Sequence, residues 1–328
     1  MKDSIFFSLI ALFLCISSIC CHSKESFESV LDSDDIVVFI ESRSPAHGIR
    51  SGNFGEVVLM DINTGKKYYL PDDDYYFNRN PIISYDGNYV AFLSNRVGSR
   101  SELRIKGVGG PHEIYLYDVR ARTLERFGEE LTERYPEIFG RLFRLLKWNT
   151  TSDGFYLRAG RNKIYEVPIT QDTIKYVTSN EDENVWIESF SISVDGRYML
   201  MSTRGHEPKM NRLILYDIEK DSKKIIIESD YYLLAGAWSA NSKKFLFSER
   251  GVLYEYNLIE GITKVILENT INEDMGIAGY LFYTRNENPL FVGSRNGSTE
   301  ILKYHIDREE IEFITNNGYP KWYLDVSF

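Results

Sequence analysis

Thiols are almost absent from this 328-residue chain: its three cysteines, Cys15, Cys20 and Cys21, all fall within the first 21 residues. A disulfide framework and a cysteine-based zinc site are therefore excluded for the remainder. Long apolar runs are missing too. After the stretch Ile5–Ile16 no segment reaches the eighteen or so apolar residues that a membrane-spanning helix needs. Positive charge is scarce, with 38 Lys and Arg against 48 Asp and Glu, a net charge of −10 and a pI near 5.2. That balance excludes broad, sequence-independent nucleic-acid binding, which needs a basic stripe to displace counterions.

Catalytic signatures are equally sparse. There is no Gly-x-Ser-x-Gly elbow, no phosphate-cradling Gly-x-x-x-x-Gly-Lys and no dinucleotide fingerprint, because Gly107–Gly110 lacks the spacing. None of the five histidines pairs with another at metal-ligand spacing. His47, His112 and His206 do fall in equivalent positions of the repeat described below. They form the one conceivable metal trio, against the simpler reading of three exposed loop histidines. Asp72–Asp74 and Glu181–Glu183 are acidic but lack the alternation of a calcium loop. No cofactor is expected.

What the chain does contain is a repeat. Segments starting at Glu56 (EVVLMDINTG), Glu113 (EIYLYDVRAR), Lys163 (KIYEVPITQD), Arg212 (RLILYDIEKD), Val252 (VLYEYNLIEG) and Glu300 (EILKYHIDRE) superimpose as alternating β-rich runs ending in a polar turn. With 23 Tyr and 19 Phe, aromatic residues make up 14% of the chain, which suits pleated, half-buried surfaces. A strand-built unit recurring every forty to sixty residues signals a radial array of small sheets.

Each unit is read as four strands, a to d from the axis outward. Strand a is a short run such as Asn80–Ser84, Ser189–Ser193 or Gly236–Ser239. A tight turn follows at Asp86-Gly87, Asp153-Gly154 or Asp195-Gly196, degenerate at Asn241-Ser242, because Asp-Gly supplies the positive φ of a close hairpin. Strand b follows and closes on an arginine in every unit: Arg43, Arg96, Arg161, Arg204, Arg250 and Arg295. Six equivalent arginines imply a structural role, bridging carbonyls or carboxylates at one corner of each sheet. The first unit begins in strand b, at Asp35–Ile40, and the run Tyr319–Asp325 resembles the missing strand a. The expectation is an all-β, six-bladed β-propeller closed by pairing of the C-terminal strand with the N-terminal blade, which hides two sheet edges.

The pattern of strand, Ser-x-Asp-Gly, Tyr-x-x-Phe-x-Ser-x-Arg and a strand ending in Asp resembles the repeats of TolB-like six-bladed propellers. Ser84–Gly87 and Ser193–Gly196 carry the likeness best, and it covers residues 35 to 328. The chain departs from the family in lacking the Pro of its Ser-Pro-Asp-Gly turn and the small N-terminal domain of the Tol translocation protein.

The N-terminus, one Lys, an apolar core and then small polar residues, reads as an export signal over residues 1–21, followed by a linker over 22–34 and the propeller over 35–328. Cys20 and Cys21 are candidates for lipid attachment, because that stretch resembles the box of bacterial lipoproteins. Such an anchor is the only membrane contact expected. The product would be periplasmic, an outer-membrane lipoprotein or secreted.

Long connections carry the candidate site. Residues 44–55 and 97–112 join strands b and c, and 128–145 join d to a, so all three belong to one face and to adjacent blades. Arg100, Arg104, Lys106 and His112 stand in one, Arg134 and Arg141 in another, opposite the acidic Asp72, Asp73, Asp74 and Tyr75. A face so polarised suits a protein or peptide of complementary charge, although solvated loops read the same way. The sequence thus favours a monomeric, non-catalytic binding propeller at the cell envelope. The alternative is a secreted enzyme acting on a carbohydrate or small substrate at the channel mouth.

Overall fold

A computed structural model describes residues 35–42, 55–71, 78–96, 113–139, 146–171, 173–180, 185–205, 210–268, 275–295 and 298–327. The first three strands are β1 (Ile36–Ser42), β2 (Gly55–Asp61) and β3 (Lys67–Tyr69). The second sheet holds β4 (Asn78–Ile83), β5 (Tyr89–Ser94), β6 (Glu113–Asp118) and β7 (Thr123–Phe127), followed by the short helices α1 (Glu129–Arg134) and α2 (Pro136–Phe139). The third comprises β8 (Leu146–Trp148), β9 (Gly154–Ala159), β10 (Lys163–Pro168) and β11 (Lys175–Ser179). The fourth comprises β12 (Trp186–Ile192), β13 (Tyr198–Arg204), β14 (Asn211–Asp217) and β15 (Ser222–Ser229). The fifth comprises β16 (Leu233–Trp238), β17 (Lys244–Glu249), β18 (Val252–Asn257) and β19 (Ile262–Leu267). Last come β20 (Met275–Tyr283), β21 (Pro289–Arg295), β22 (Ser298–His305) and β23 (Glu310–Phe313), and then β24 (Lys321–Ser327).

These strands form six four-stranded antiparallel sheets, and the first has the order β24-β1-β2-β3. The C-terminal strand pairs with the N-terminal one in register Val37↔Val326, Val38↔Asp325 and Ile40↔Trp322. The chain is a six-bladed β-propeller, closed as the sequence pattern predicts.

Packing between blades explains why β1 and β9 are buried along their whole length rather than on alternate residues. Each blade lies face to face with two neighbours, so both sides of its middle strands must be apolar. Six clusters of buried side chains result, one at each junction. Trp148 and Phe155 fill the junction of blades 2 and 3, where Leu131 of α1 also packs. Trp238, Phe245 and Phe247 fill that of blades 4 and 5.

The Ser-x-Asp-Gly turns have a local cause. Ser84 Oγ donates to Asp86 Oδ1 at 2.6 Å and accepts from the Tyr89 amide at 2.9 Å, so one buried hydroxyl ties the turn to strand b. Ser193 repeats this with Asp195 and Tyr198. Ser239 repeats it with Asn241 and Lys244. Gly87 and Gly196 take φ of 70° and 73°, and Ser242 bears the same left-handed geometry at 57° in the degenerate turn. The turns also join blades: the Asp86 amide donates to Ser152 Oγ and the Asp195 amide to Ser242 Oγ.

Three of the arginines that close strand b, Arg96, Arg161 and Arg250, meet aromatic faces rather than the carbonyls or carboxylates expected. Arg96 lies 5.1 Å from the Phe92 centroid and 5.4 Å from that of Tyr115. Arg161 lies 4.2 Å from Trp186 and Arg250 4.1 Å from Tyr231. A planar guanidinium stacks on a ring as readily as it forks to a carboxylate, so the position is legible in sequence and the partner is not.

Candidate functional site

The six inner strands, β24, β4, β8, β12, β16 and β20, enclose the axis, and five of them do not pair regularly with their neighbours. Register shifts interrupt β4 between Arg79 and Ile82, β12 between Ile187 and Ser189, and β16 between Ala235 and Trp238. β20 carries two shifts, and β1 has one against β24. Each bulge bends the strand away from strict pairing, and Asn80 and Tyr280 are held at positive φ of 45° and 55°. Both residues line a recess of about 230 Å³ on the axis. Its walls are mostly apolar, with Pro81, Ile82, Leu146, Phe190, Leu234, Leu281 and Leu324, and Glu188, Tyr232 and Tyr280 bring polar groups to the lining.

Lys147 of blade 3 reaches Asp325 of blade 1, Nζ to Oδ1 at 2.7 Å, while its Nζ sits 4.8 Å from the Phe282 ring of blade 6. The Ile83 amide of blade 2 donates to Asp325 Oδ2 at 3.1 Å. These contacts tie blades 6, 1, 2 and 3 together beside a second cavity of about 40 Å³, lined by Ile83, Tyr85, Trp148 and Trp238, which shares Lys147, Ser191, Ala237 and Phe282 with the recess. Burial and the Asp325 charge push the Tyr85 phenol up. Burial also raises Tyr232, to about 12, with Glu188 adding to the shift and Arg204 and Arg158 opposing it. Inner-wall hydroxyls are spent on the scaffold: Ser191 Oγ donates to the Gly236 carbonyl at 2.5 Å, and Ser189 Oγ accepts from the Ala235 amide at 3.0 Å.

Lining residues Asn80, Leu146, Lys147, Glu188 and Tyr232 sit at or just before the early part of their inner strands. The recess therefore lies toward the face where strand d passes to strand a and b to c. That is the face to which the sequence assigns the long connections.

Of the candidate residues read from sequence, Arg134 is described: it ends α1 and is exposed. Arg100, Arg104, Lys106, His112, Asp72, Asp73, Asp74, Tyr75 and Arg141 lie outside the described residues. So do His47, His206, Cys20 and Cys21. Among the described residues no three His, Cys, Asp or Glu side chains stand together as a metal site. Nor is any described helix long and apolar enough to cross a membrane.

Sequence reasoning did not find Lys147, Glu188, Tyr232, Tyr280 or Asp325. One signal was available: Lys147 is the middle residue of the inner strand Leu-Lys-Trp, an awkward place for a charge without a partner.

No protein-family model matches the chain, and no curated protein is similar to it in sequence. Solved structures do share its architecture. TolB from Acinetobacter baumannii superimposes with a TM-score of 0.63 at 13% identity, over 90% of this chain and 67% of that one. A chain of a nidogen/laminin complex gives 0.63 at 6% identity, over 90% and 98%. An oligogalacturonate lyase in complex with manganese gives 0.54 at 12% identity, over 86% and 74%. The class is a six-bladed β-propeller, and the fold is TolB-like; identities this low speak for architecture alone.

Proposed function

We propose that the protein is an exported propeller without a catalytic role, which holds a protein or peptide partner at the cell envelope through the face bearing the recess. The observation that carries this reading is the axial recess. The concavity has a largely apolar wall to which Glu188, Tyr232 and Tyr280 bring polar groups. Unequal connection lengths support it, since the sequence pattern assigns residues 44–55, 97–112 and 128–145 to that face. So does the N-terminal apolar segment, read as an export signal with Cys20 or Cys21 available for acylation. Two architectural neighbours are TolB and a chain taken from a protein–protein complex.

The test is a pull-down from envelope extract with the mature protein and with a version whose 97–112 segment is replaced by Gly-Ser repeats. A partner captured by the first and lost by the second supports the reading; identical partners, or none from either, count against it. The enzyme reading rests on the shared architecture of the oligogalacturonate lyases. Shortening of oligogalacturonate by the purified protein, with or without manganese, would replace the binding proposal with that one.

A further inference from the structure

The recess has a chemistry of its own, separate from whatever docks on the surrounding loops. Its volume of about 230 Å³ exceeds the ~150 Å³ at which an apolar cavity in an engineered protein core takes up benzene. Unlike such a cavity, it has a strong donor, Lys147, in its lining. The Lys147 ammonium carries three N–H groups and, among the described residues, donates one of them to Asp325. Because Asp325 neutralises it, the lining offers a hydrogen bond without net positive charge. The Glu188 carboxylate, also in the lining, disfavours an anion.

We propose that the axial recess is a binding site for a small neutral ring carrying a hydroxyl, chemically a phenol, whose ring lies against Phe190, Leu281 and Phe282 and whose oxygen accepts from Lys147 Nζ. Apolar walls supply the affinity and the single ammonium supplies the orientation, a division common to small-molecule sites. The tyrosines at the wall leave a ring-shaped ligand in aromatic surroundings, where offset or edge contacts add to burial. Since Lys147, Phe190, Leu281 and Phe282 all lie on inner strands, the site stands whether or not a protein binds the loop face.

Titration of the mature chain with p-cresol, toluene and benzoate, followed by ligand-observed NMR, tests this. The expected result is 1:1 binding of p-cresol, about tenfold tighter than toluene, the minimum for a hydrogen bond to a charged donor. Benzoate should bind more weakly than p-cresol. Lys147→Met should bring p-cresol and toluene to parity. Because that change strands Asp325, the double variant Lys147→Met/Asp325→Asn provides the same readout without an unpaired buried carboxylate. Ala235→Trp, which fills the recess, should abolish binding of both while the circular dichroism stays native. The proposal is overturned if p-cresol shows no saturable binding, if toluene matches it in the wild type, if benzoate is preferred, or if binding survives Ala235→Trp in a folded protein.

Discussion

Removing the buried ammonium of Lys321 should loosen the junction that closes the ring, and its size can be worked from the contacts. Lys321 opens β24 and its side chain is 0% exposed. Its Nζ lies 3.0 Å from Glu300 Oε2 of blade 6 and 3.5 Å from Glu41 Oε1 of β1, and it donates to Asn317 Oδ1 and the Tyr319 carbonyl. Lys67 completes the group at 2.7 Å from Glu41, so two carboxylates face two ammoniums across the closure. Burial nevertheless pulls Lys321 below the usual lysine range, against the pull of Glu300 and Glu41. A buried network of this kind adds little net stability over an apolar replacement, whereas removing one partner alone costs much.

Lys321→Met then costs about 3–5 kcal/mol, the toll of leaving a buried charge without its partner. The lower end is expected. Glu300 keeps the Thr315 hydroxyl at 2.5 Å and the Gly318 amide at 3.1 Å, while Glu41 keeps Lys67, Tyr69 and Asn317. With about 2.1 cal/mol/K of unfolding entropy per residue over a propeller of nearly 300 residues, the melting temperature should fall by roughly 5 °C. The assay is a double-mutant cycle by urea melts. Lys321→Met/Glu300→Met should recover most of the loss, because it removes the stranded carboxylate as well. A single-variant loss below about 1 kcal/mol, or a double variant as unstable as the sum of the singles, would refute the reasoning.

Two further outcomes follow from the same kind of reading. Glu41 is pushed up by burial, but hydrogen bonds from Lys67, Asn317 and Tyr69, together with the Lys67 charge, hold it below its ordinary 4.5. Its folded value being depressed, it contributes stability above pH 4.5 that is lost as pH falls through the folded value. Glu41→Gln should flatten the acid limb of the stability–pH curve, and an unchanged limb would contradict this. Gly236→Ala should destabilise by about 1–3 kcal/mol in urea melts, since a Cβ there would meet the Leu246 carbonyl at 2.6 Å and Leu281 Cβ at 2.7 Å.

The blade architecture was legible because it rests on local rules. Alternation marks the strands, and a Ser hydroxyl that serves both Asp86 and the Tyr89 amide leaves the same three-residue signature in Asp195 and Tyr198. Ring closure was legible because Lys321–Asp325 reads as an inner strand without a blade of its own. The recess was not, for two reasons. Its bulges depend on crowding among six inner strands, which leaves no mark in any one of them; Asn80 and Tyr280 take positive φ without a glycine to announce it. The Lys147–Asp325 pair joins residues 178 positions apart, and nothing local to Leu-Lys-Trp names Asp325 as the partner. The arginine ladder falls between these cases, with positions fixed by the repeat and ring partners decided by side-chain packing.

Photo-crosslinking at single positions tests the central claim most directly. p-Benzoylphenylalanine in place of Tyr232, at the rim of the recess, is compared in cells with the same group in place of Ile259, which is exposed in a c–d turn on the opposite side. The account predicts a discrete protein adduct from position 232 and none from 259. An adduct only from 259, or from neither, would contradict it.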